Sequence, residues 1–276
     1  MEGCARIGHE RRSSVYKSSL TKSERTCRLA SVIAGELLVF LTLIILITKK
    51  EYTHLAMCIG SFAMVWLPII IELLFSCKMN TAMFIFGELY ALSPLFGECY
   101  KLYYLTSWWD KLLHTCGGIV FALFGVYLFR LLTGDKKQIV AAAIFALCFS
   151  VALAVLWEFV EYAGDTLFAM DMQHDTVVHE IHSYFLSDEP GIRGHLSEIR
   201  EVTVNGAALP TDGYIDIGLH DTMQDMMVET LGALIVSLYV LLDRGRHSPF
   251  THLKNNKKHA RRKRNEKSTD HHRFLL

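Results

Sequence analysis

The chain has 276 residues, 51% of them hydrophobic, and its 28 Lys and Arg residues balance 28 Asp and Glu residues. Its mean hydropathy of +0.27 is high for a water-soluble protein. The apolar residues are grouped in blocks of roughly 20, the length of a helix that crosses a bilayer. These blocks are apolar all round, whereas a soluble helical core would need amphipathic stripes. The composition therefore excludes an ordinary soluble domain.

Six apolar blocks follow a basic, Ser-rich N-terminal segment, residues 1–28, which we predict to be disordered and cytoplasmic rather than a cleaved signal peptide. The blocks lie at residues 29–48, 53–75, 81–105, 112–132, 139–163 and 222–242. The third block is the weakest, because Glu88, Pro94 and Glu98 interrupt it. Since a helix satisfies its own backbone in lipid, the sequence predicts an all-α polytopic membrane protein, a bundle of six transmembrane helices over residues 29–242.

The positive charges are unevenly distributed. Most of the 28 Lys and Arg residues fall in the N-terminal segment, in the turn at residues 130–138 and in the tail, residues 243–276. Such segments usually remain cytoplasmic, and an even number of spans agrees with cytoplasmic N- and C-termini. The basic run at residues 259–264 could bind nucleic acid or anionic lipid. A topology anchor beside the inner leaflet is the simpler interpretation, so nucleic acid is the less favoured partner.

The segment between the fifth and sixth blocks, residues 164–220, is too long for a plain connection and predicts a small extracytoplasmic insert. None of the seven Cys residues falls in it, so no disulfide framework is indicated. Residues 178–185 could form a short amphipathic helix. Residues 201–204 read as a strand entering an Asn205-Gly206 turn, and residues 214–217 could return as its partner in a β-hairpin. His179, Glu180 and His182 resemble metal ligands, although an exposed polar helix would carry the same residues.

Three of the apolar blocks carry short polar signatures, each with its members three, four or seven residues apart on one helix face. The members are Asp110 and His114, then Glu158, Glu161 and Asp165, then His220, Asp221 and Asp225. With six alternating spans, all three sets fall at outer helix ends, and Glu98 could join them. Glu229 continues the last set one turn deeper. Because ionisable groups in membrane spans usually face a protein interior or a wet cavity, we predict that the sets meet beneath the insert.

Close approach of the helices is also predicted. Gly117, Gly118 and Gly232 lie beside the polar sets, and small residues let membrane helices pack closely.

Several carboxylates in one low-dielectric site require either protonation or a bound cation. Carboxylate and imidazole ligands together suit Zn or Mn, and all-oxygen ligands suit Mg. The predicted ligands of such a divalent metal are Asp110, His114, Glu158, Glu161, Asp165, Asp221 and Asp225. Without a metal, Glu158, Glu161, Asp110 and His114 remain candidates for catalytic acid and base.

A purely structural interpretation stays open. Asp110, Glu158 and Asp225 could hydrogen-bond across helices and pair with Lys111, Lys101 or a histidine. Asp110 and Asp221 could also cap their helices or favour the positive helix end. Capping and the charge of the helix end do not explain Glu158, Glu161 or Asp225.

The polar signatures also carry a family resemblance. The segments at residues 95–100, 108–118, 156–161 and 213–225, with Gly232-Ala233, resemble the bacterial integral-membrane family that includes YjdF. The likeness covers roughly residues 62–242, and Glu229 stands where that family suggests Asn. The last span is more distantly similar to VanZ-type membrane proteins. The resemblance implies a protein of the bacterial cell (inner) membrane and implies no reaction.

Three functions are consistent with these observations. The first is a metal-dependent membrane enzyme acting on a lipid or an envelope precursor, with membrane lipids and a lipid-linked substrate as partners. The second is a cation- or proton-coupled transporter, for which six spans would suffice as a homo-oligomer. The third is a non-enzymatic envelope protein that binds lipid or a partner through the insert.

Overall fold

The structure, a computed structural model, describes residues 19–134 and 137–252. Residues 1–18 of the predicted N-terminal segment 1–28 and residues 253–276 of the predicted tail 243–276, including the run at 259–264, lie outside these described residues. The chain forms two compact units. Of the described residues, one unit holds 19–106, 130–134 and 246–252, and the other holds 107–129 and 137–245.

The first unit opens on helix α1, Lys22–Lys49, which begins earlier than the predicted boundary at residue 29. Thr21 and Glu24 form a capping box that satisfies the first backbone N–H groups. Arg28 is buried, and its guanidinium lies 2.7 Å from the Glu72 carboxylate. The prediction of disorder up to residue 28 was therefore wrong over residues 22–28. These residues form the start of α1, because the helix is capped at Thr21 and Arg28 is paired with Glu72.

The second predicted span is broken into α2, Leu55–Met64, and α3, Leu67–Leu74. These two helices are bent by 45° relative to each other, and Pro68, which cannot donate a backbone hydrogen bond, sits in the first turn of α3. The third predicted span is also discontinuous. It comprises α4, Thr81–Ala91, a π-turn at Leu95–Cys99 and the single-turn α5, Leu102–Leu105. Strand β1, Cys77–Met79, pairs antiparallel with β8, Phe250–His252.

The second unit contains three long helices, α6 at Trp109–Thr133 (its last residues belong to the first unit), α7 at Ile139–Phe168 and α8 at Leu219–Leu242. Their shared core is a cluster of small and branched residues. Its buried members are Ala122, Val126, Ala143, Ala146, Ala233, Val236 and Val240. A Cβ at Gly118 would overlap the carbonyl oxygen of Glu229, and one at Gly232 would overlap that of Thr115. The predicted close approach at these two glycines is confirmed, and it lets the backbones of α6 and α8 pass each other closely.

Within the described residues, four helices are long and apolar enough to cross a membrane, namely α1, α6, α7 and α8. The α2–α3 pair makes five if the bent pair is one span. The chain is therefore a helical membrane protein with four to five candidate spans.

The insert is built from short strands rather than the predicted amphipathic helix at residues 178–185. Its strands are β2 Val177–Val178, β3 Ile181–Ser183, β4 Gly194–Leu196, β5 Thr203–Val204, β6 Ala207–Ala208 and β7 Tyr214–Ile215, with a 3-10 turn at Tyr184–Leu186. β3 pairs with β4, and β2 pairs with β7.

The strand that precedes Asn205-Gly206 is correctly placed, but its predicted partner is wrong. β5 pairs with β6 directly across the turn, because Asn205 and Gly206 both adopt positive φ, as a two-residue hairpin turn requires. Tyr214 and Ile215 pair instead with β2.

Candidate functional site

Buried polar side chains of the second unit gather where α6 begins, α7 ends and α8 begins. Lys111 of α6 lies among three aspartates. Its ammonium is 2.5 Å from Asp221 Oδ1, 2.8 Å from Asp225 Oδ1 and 3.3 Å from Asp110 Oδ2. The chain therefore already supplies a cation that neutralises part of the negative charge of these three aspartates, which we call the upper group. Lys111 pairs with Asp110 and Asp225 as the structural interpretation of the sequence allowed.

His114, one turn further along α6, is buried and connects the upper group to a deeper one. Its Nε2 lies 3.7 Å from Asp110 Oδ1 and 3.9 Å from Asp225 Oδ1, while its Nδ1 lies 3.5 Å from Glu229 Oε2. Asp221, Asp225 and Glu229 are successive i, i+4 positions of α8, so they form a stripe that descends about 6 Å per step. One imidazole thus faces carboxylates of both α6 and α8.

Glu158 and Glu161 of α7 complete the deeper group. Both are buried, and the Trp157 indole donates a 2.7 Å hydrogen bond to Glu161 Oε1. Neither oxygen of Glu158 accepts a well-formed hydrogen bond from the described residues. The Thr222 hydroxyl lies near it. That hydroxyl accepts a 2.5 Å hydrogen bond from the Gln173 amide and keeps its own proton as the nearby donor to Glu158. A carboxylate buried in this way needs a proton or a cation.

The start of the insert is hydrogen-bonded to the same helix ends. Asp165 accepts backbone hydrogen bonds from Met172 and Gln173, 2.6 and 2.9 Å. The His174 N–H donates to Asp221 Oδ2 at 3.0 Å. Residues 172–174 therefore form a strap attached to α7 and α8 beside the polar cluster.

Asp216 secures the other end of the insert. Its carboxylate accepts backbone hydrogen bonds from Thr176 at 2.8 Å, His220 at 2.8 Å and Gly218 at 3.2 Å. Burial raises the pKa of Asp216, but these N–H donors outweigh that effect and hold its pKa below the usual aspartate value. Asp216, directly after β7, thus ties the residue before β2 to the first turn of α8 through its ionised form.

Three groups of potential metal donors lie in this buried cluster, with the donor atoms of each group within 4.8 Å of one another. They are Asp110, His174 and Asp221, then Asp110, His114 and Asp225, then His114, Glu158 and Glu161. Lys111 already occupies the aspartates of the first two groups. The third group has three buried members, one imidazole and two carboxylates, and it includes the Glu158 oxygens that lack a well-formed hydrogen bond. Its donor chemistry fits a divalent ion such as Zn²⁺ or Mn²⁺.

The prediction that the three polar signatures approach one another is confirmed by these distances, while their catalytic and metal-binding roles stay predictions. Asp165 is engaged by the strap and belongs to none of the three groups. Glu98 lies in the first unit, where its carboxylate is 3.6 Å from His54 Nδ1.

Lys111, Glu229 and His174 were not among the predicted site residues. A lysine next to Asp110 on an apolar helix, and an acid two turns below Asp221, were the available signals. For His174, which lies in an irregular segment, the sequence carried none.

Comparison with known proteins places the chain in a family without assigning it a reaction. No curated protein and no solved structure matches it significantly. The model of the family described as "Predicted membrane protein (DUF2238)" matches residues 30–246. That range covers the whole of α1 to α8 apart from the first residues of α1, and hence every residue of the polar cluster. The chain therefore belongs to the DUF2238 family of membrane proteins.

Proposed function

We propose that this protein is a divalent-metal-dependent membrane enzyme acting on a lipid or a lipid-linked envelope precursor. The metal would be held by His114, Glu158 and Glu161. The observation that carries the proposal is that these three side chains, on two different helices, are buried with their donor atoms within 4.8 Å of one another. Ionisable residues are costly in a membrane span unless they have a function or a partner.

The charge balance of the cluster supports a bound cation. Six carboxylates gather there, from Asp110, Glu158, Glu161, Asp221, Asp225 and Glu229, and the permanent positive charge among them is that of Lys111. Lys111 contacts the three aspartates, whereas among the described residues the basic group beside the three glutamates is the His114 imidazole. A divalent ion at the glutamates would supply the missing charge, and the imidazole ligand favours Zn²⁺ or Mn²⁺ over Mg²⁺.

The residues around the metal ligands would orient those ligands and cover the substrate. A bound divalent ion can activate water or polarise a phosphoryl or acyl oxygen. The Trp157 indole orients Glu161, and Glu229 holds the opposite nitrogen of His114, as second-layer partners of metal ligands commonly do. The strap at residues 172–174 would cover the substrate, because its backbone is bonded to Asp165 and Asp221.

Metal content tests the proposal. Protein purified in detergent should retain one equivalent of divalent metal at this site, so that Glu158→Gln and Glu161→Gln each hold one equivalent less than the wild type. Asp212→Asn is the control, because Asp212 is an exposed carboxylate of the insert whose nearest cation is Arg200. Retention of the metal by both glutamine variants, or its absence from the folded wild-type protein, would rule out the proposed site.

A cation- or proton-coupled transporter is the second candidate. The stripe of Asp221, Asp225 and Glu229 down α8, with His114 beside it, favours this function because such rows of acids form relays. Proton or cation flux in proteoliposomes that Glu229→Gln abolishes would favour transport. An unchanged flux in that variant would count against it.

We also propose the finer topology. The bent α2–α3 pair and the discontinuous α4–α5 segment would each count as one span, giving six, with both termini in the cytoplasm of a bacterial cell and the insert outside it. The distribution of Lys and Arg supports this orientation. The resemblance to the family that includes YjdF supports the bacterial inner membrane.

A further inference from the structure

Away from the helices, three side chains of the insert converge on one point. Glu180 Oε1 lies 2.6 Å from His182 Nε2 and 2.9 Å from His195 Nε2. The two imidazole rings are stacked, with centroids 4.3 Å apart and planes 7° from parallel. All three residues are exposed, and none takes part in the buried cluster described above.

The backbone explains why these three residues meet. His182 and His195 are direct partners across the antiparallel β3–β4 pair, where opposite Cβ atoms are roughly 5 Å apart. Glu180 precedes His182 by two residues, the spacing that returns to the same face of an extended chain. The register of the β3–β4 pair therefore places these three side chains next to one another.

We propose that Glu180, His182 and His195 form a binding site for a divalent transition metal, with Zn²⁺ as the preferred ion. Two imidazole nitrogens and a carboxylate oxygen are a known zinc ligand set that leaves a fourth position open to water. Zinc binds each such donor at about 2.0–2.2 Å, so its donors must lie within about 4 Å of one another. The present donor separations are close to this limit, but the stacked rings must tilt toward each other, because nitrogen lone pairs in parallel planes do not converge on one ion. Both side chains are exposed, and imidazole ligands disfavour Mg²⁺ and Ca²⁺.

The metal would cross-link the two strands of this hairpin. The loop between β3 and β4 contains the 3-10 turn at Tyr184–Leu186, where the Phe185 side chain is wholly exposed. Closing the base of the loop with an ion would restrict it, as a metal clip does for any loop it closes. The alternative is a hydrogen-bonded cluster without metal, in which both imidazoles donate to one carboxylate.

His179 provides a matched control. It lies in the same segment, but its Nδ1 is 2.9 Å from the carbonyl oxygen of Ile199, and it is not a member of the donor group. If zinc bound unspecifically to exposed histidines, His179→Ala would weaken zinc binding as much as His182→Ala does. A specific site would respond only to the second change.

Zinc titration of the full chain, purified in detergent without a histidine tag and stripped with a chelator, tests the proposal. His182→Ala and His195→Ala should lose one Zn²⁺ equivalent or bind it at least about tenfold more weakly, while His179→Ala should match the wild type. Glu158→Gln should keep this equivalent, which separates the site from the buried cluster. Equal zinc stoichiometry and affinity in the wild type and the His182→Ala/His195→Ala double variant would overturn the proposal.

Discussion

Lys111 decides the electrostatics of the cluster at the scale of single residues. It is the cation that three aspartates share, and two of these, Asp221 and Asp225, are buried. Removing one partner of a buried ion pair leaves the other charge unpaired, which costs more than the pair itself contributes. Lys111 therefore has a stabilising role whether or not the deeper glutamates hold a metal.

We expect Lys111→Met to lower the free energy of unfolding by about 3–5 kcal/mol, because it leaves aspartates buried without their cation. The control is Lys101→Met. The Lys101 ammonium is half exposed and 3.8 Å from Glu51, so this change should cost less than about 1 kcal/mol. Thermal or denaturant unfolding in detergent measures both, and equal effects would contradict this assignment of Lys111.

Asp216 makes a second prediction at this scale. Its folded-state pKa is below the usual value of 3.8, so its ionised form stabilises the insert. That stabilisation is fully present above the usual pKa and is lost as the pH falls through the lowered pKa of the folded state.

We expect Asp216→Asn to speed amide exchange at Thr176 and His220 roughly five- to thirty-fold at neutral pH, equivalent to about 1–2 kcal/mol. In wild type, exchange corrected for its intrinsic pH dependence should rise in acid, and in the variant this rise should be absent. Hydrogen-exchange mass spectrometry measures both effects, with Asp212→Asn as the control. Unchanged protection in Asp216→Asn would show that its carboxylate does not hold the insert.

The packing of α6 against α8 is the decisive contact at the scale of elements. Gly118 faces the backbone of Glu229, and Gly232 faces the backbone of Thr115. The same contact sets His114 and Glu229 against each other across the two helices. Close packing and site geometry are therefore coupled.

Gly118→Ala should destabilise the protein by about 1–3 kcal/mol, because the added methyl group overlaps a backbone atom that cannot move alone. Gly60→Ala is the matched control, since a Cβ at this glycine of α2 meets nothing within 4 Å. In a helix, alanine is otherwise favoured over glycine by up to about 1 kcal/mol. Melting temperatures of the two variants should thus move in opposite directions, and a shift in the same direction would contradict the close contact.

At the scale of the whole molecule, the proposed orientation places the insert outside the cell and the α6–α7 connection inside it. Cysteines introduced one at a time by Glu198→Cys and Lys137→Cys, in a background without other cysteines, report these two segments. A membrane-impermeant maleimide should label the first variant in intact cells and the second only after permeabilisation. The reverse pattern would show that the positive-inside assignment is wrong.

The sequence alone determined the class of protein, the positions of the long spans α1, α6, α7 and α8, and the three polar helix faces. These properties are local, because the length of an apolar block and the 3.6-residue period are visible in a few turns of chain. The break before Pro68 was less visible, since the flanking residues remain apolar, whereas Pro94 and Glu98 already marked the third block as the weakest. Asn205-Gly206 identified a turn, but not which strands it joined.

Only the tertiary structure decided which side chains share a site. Lys111 enters the aspartate group, Asp165 is taken by the backbone of the strap, and His195 rather than His179 joins Glu180 and His182. Each outcome depends on helix packing or strand register between residues far apart in sequence. Because such contacts carry no local period, one sequence can show that polar residues need partners without showing which partners they find.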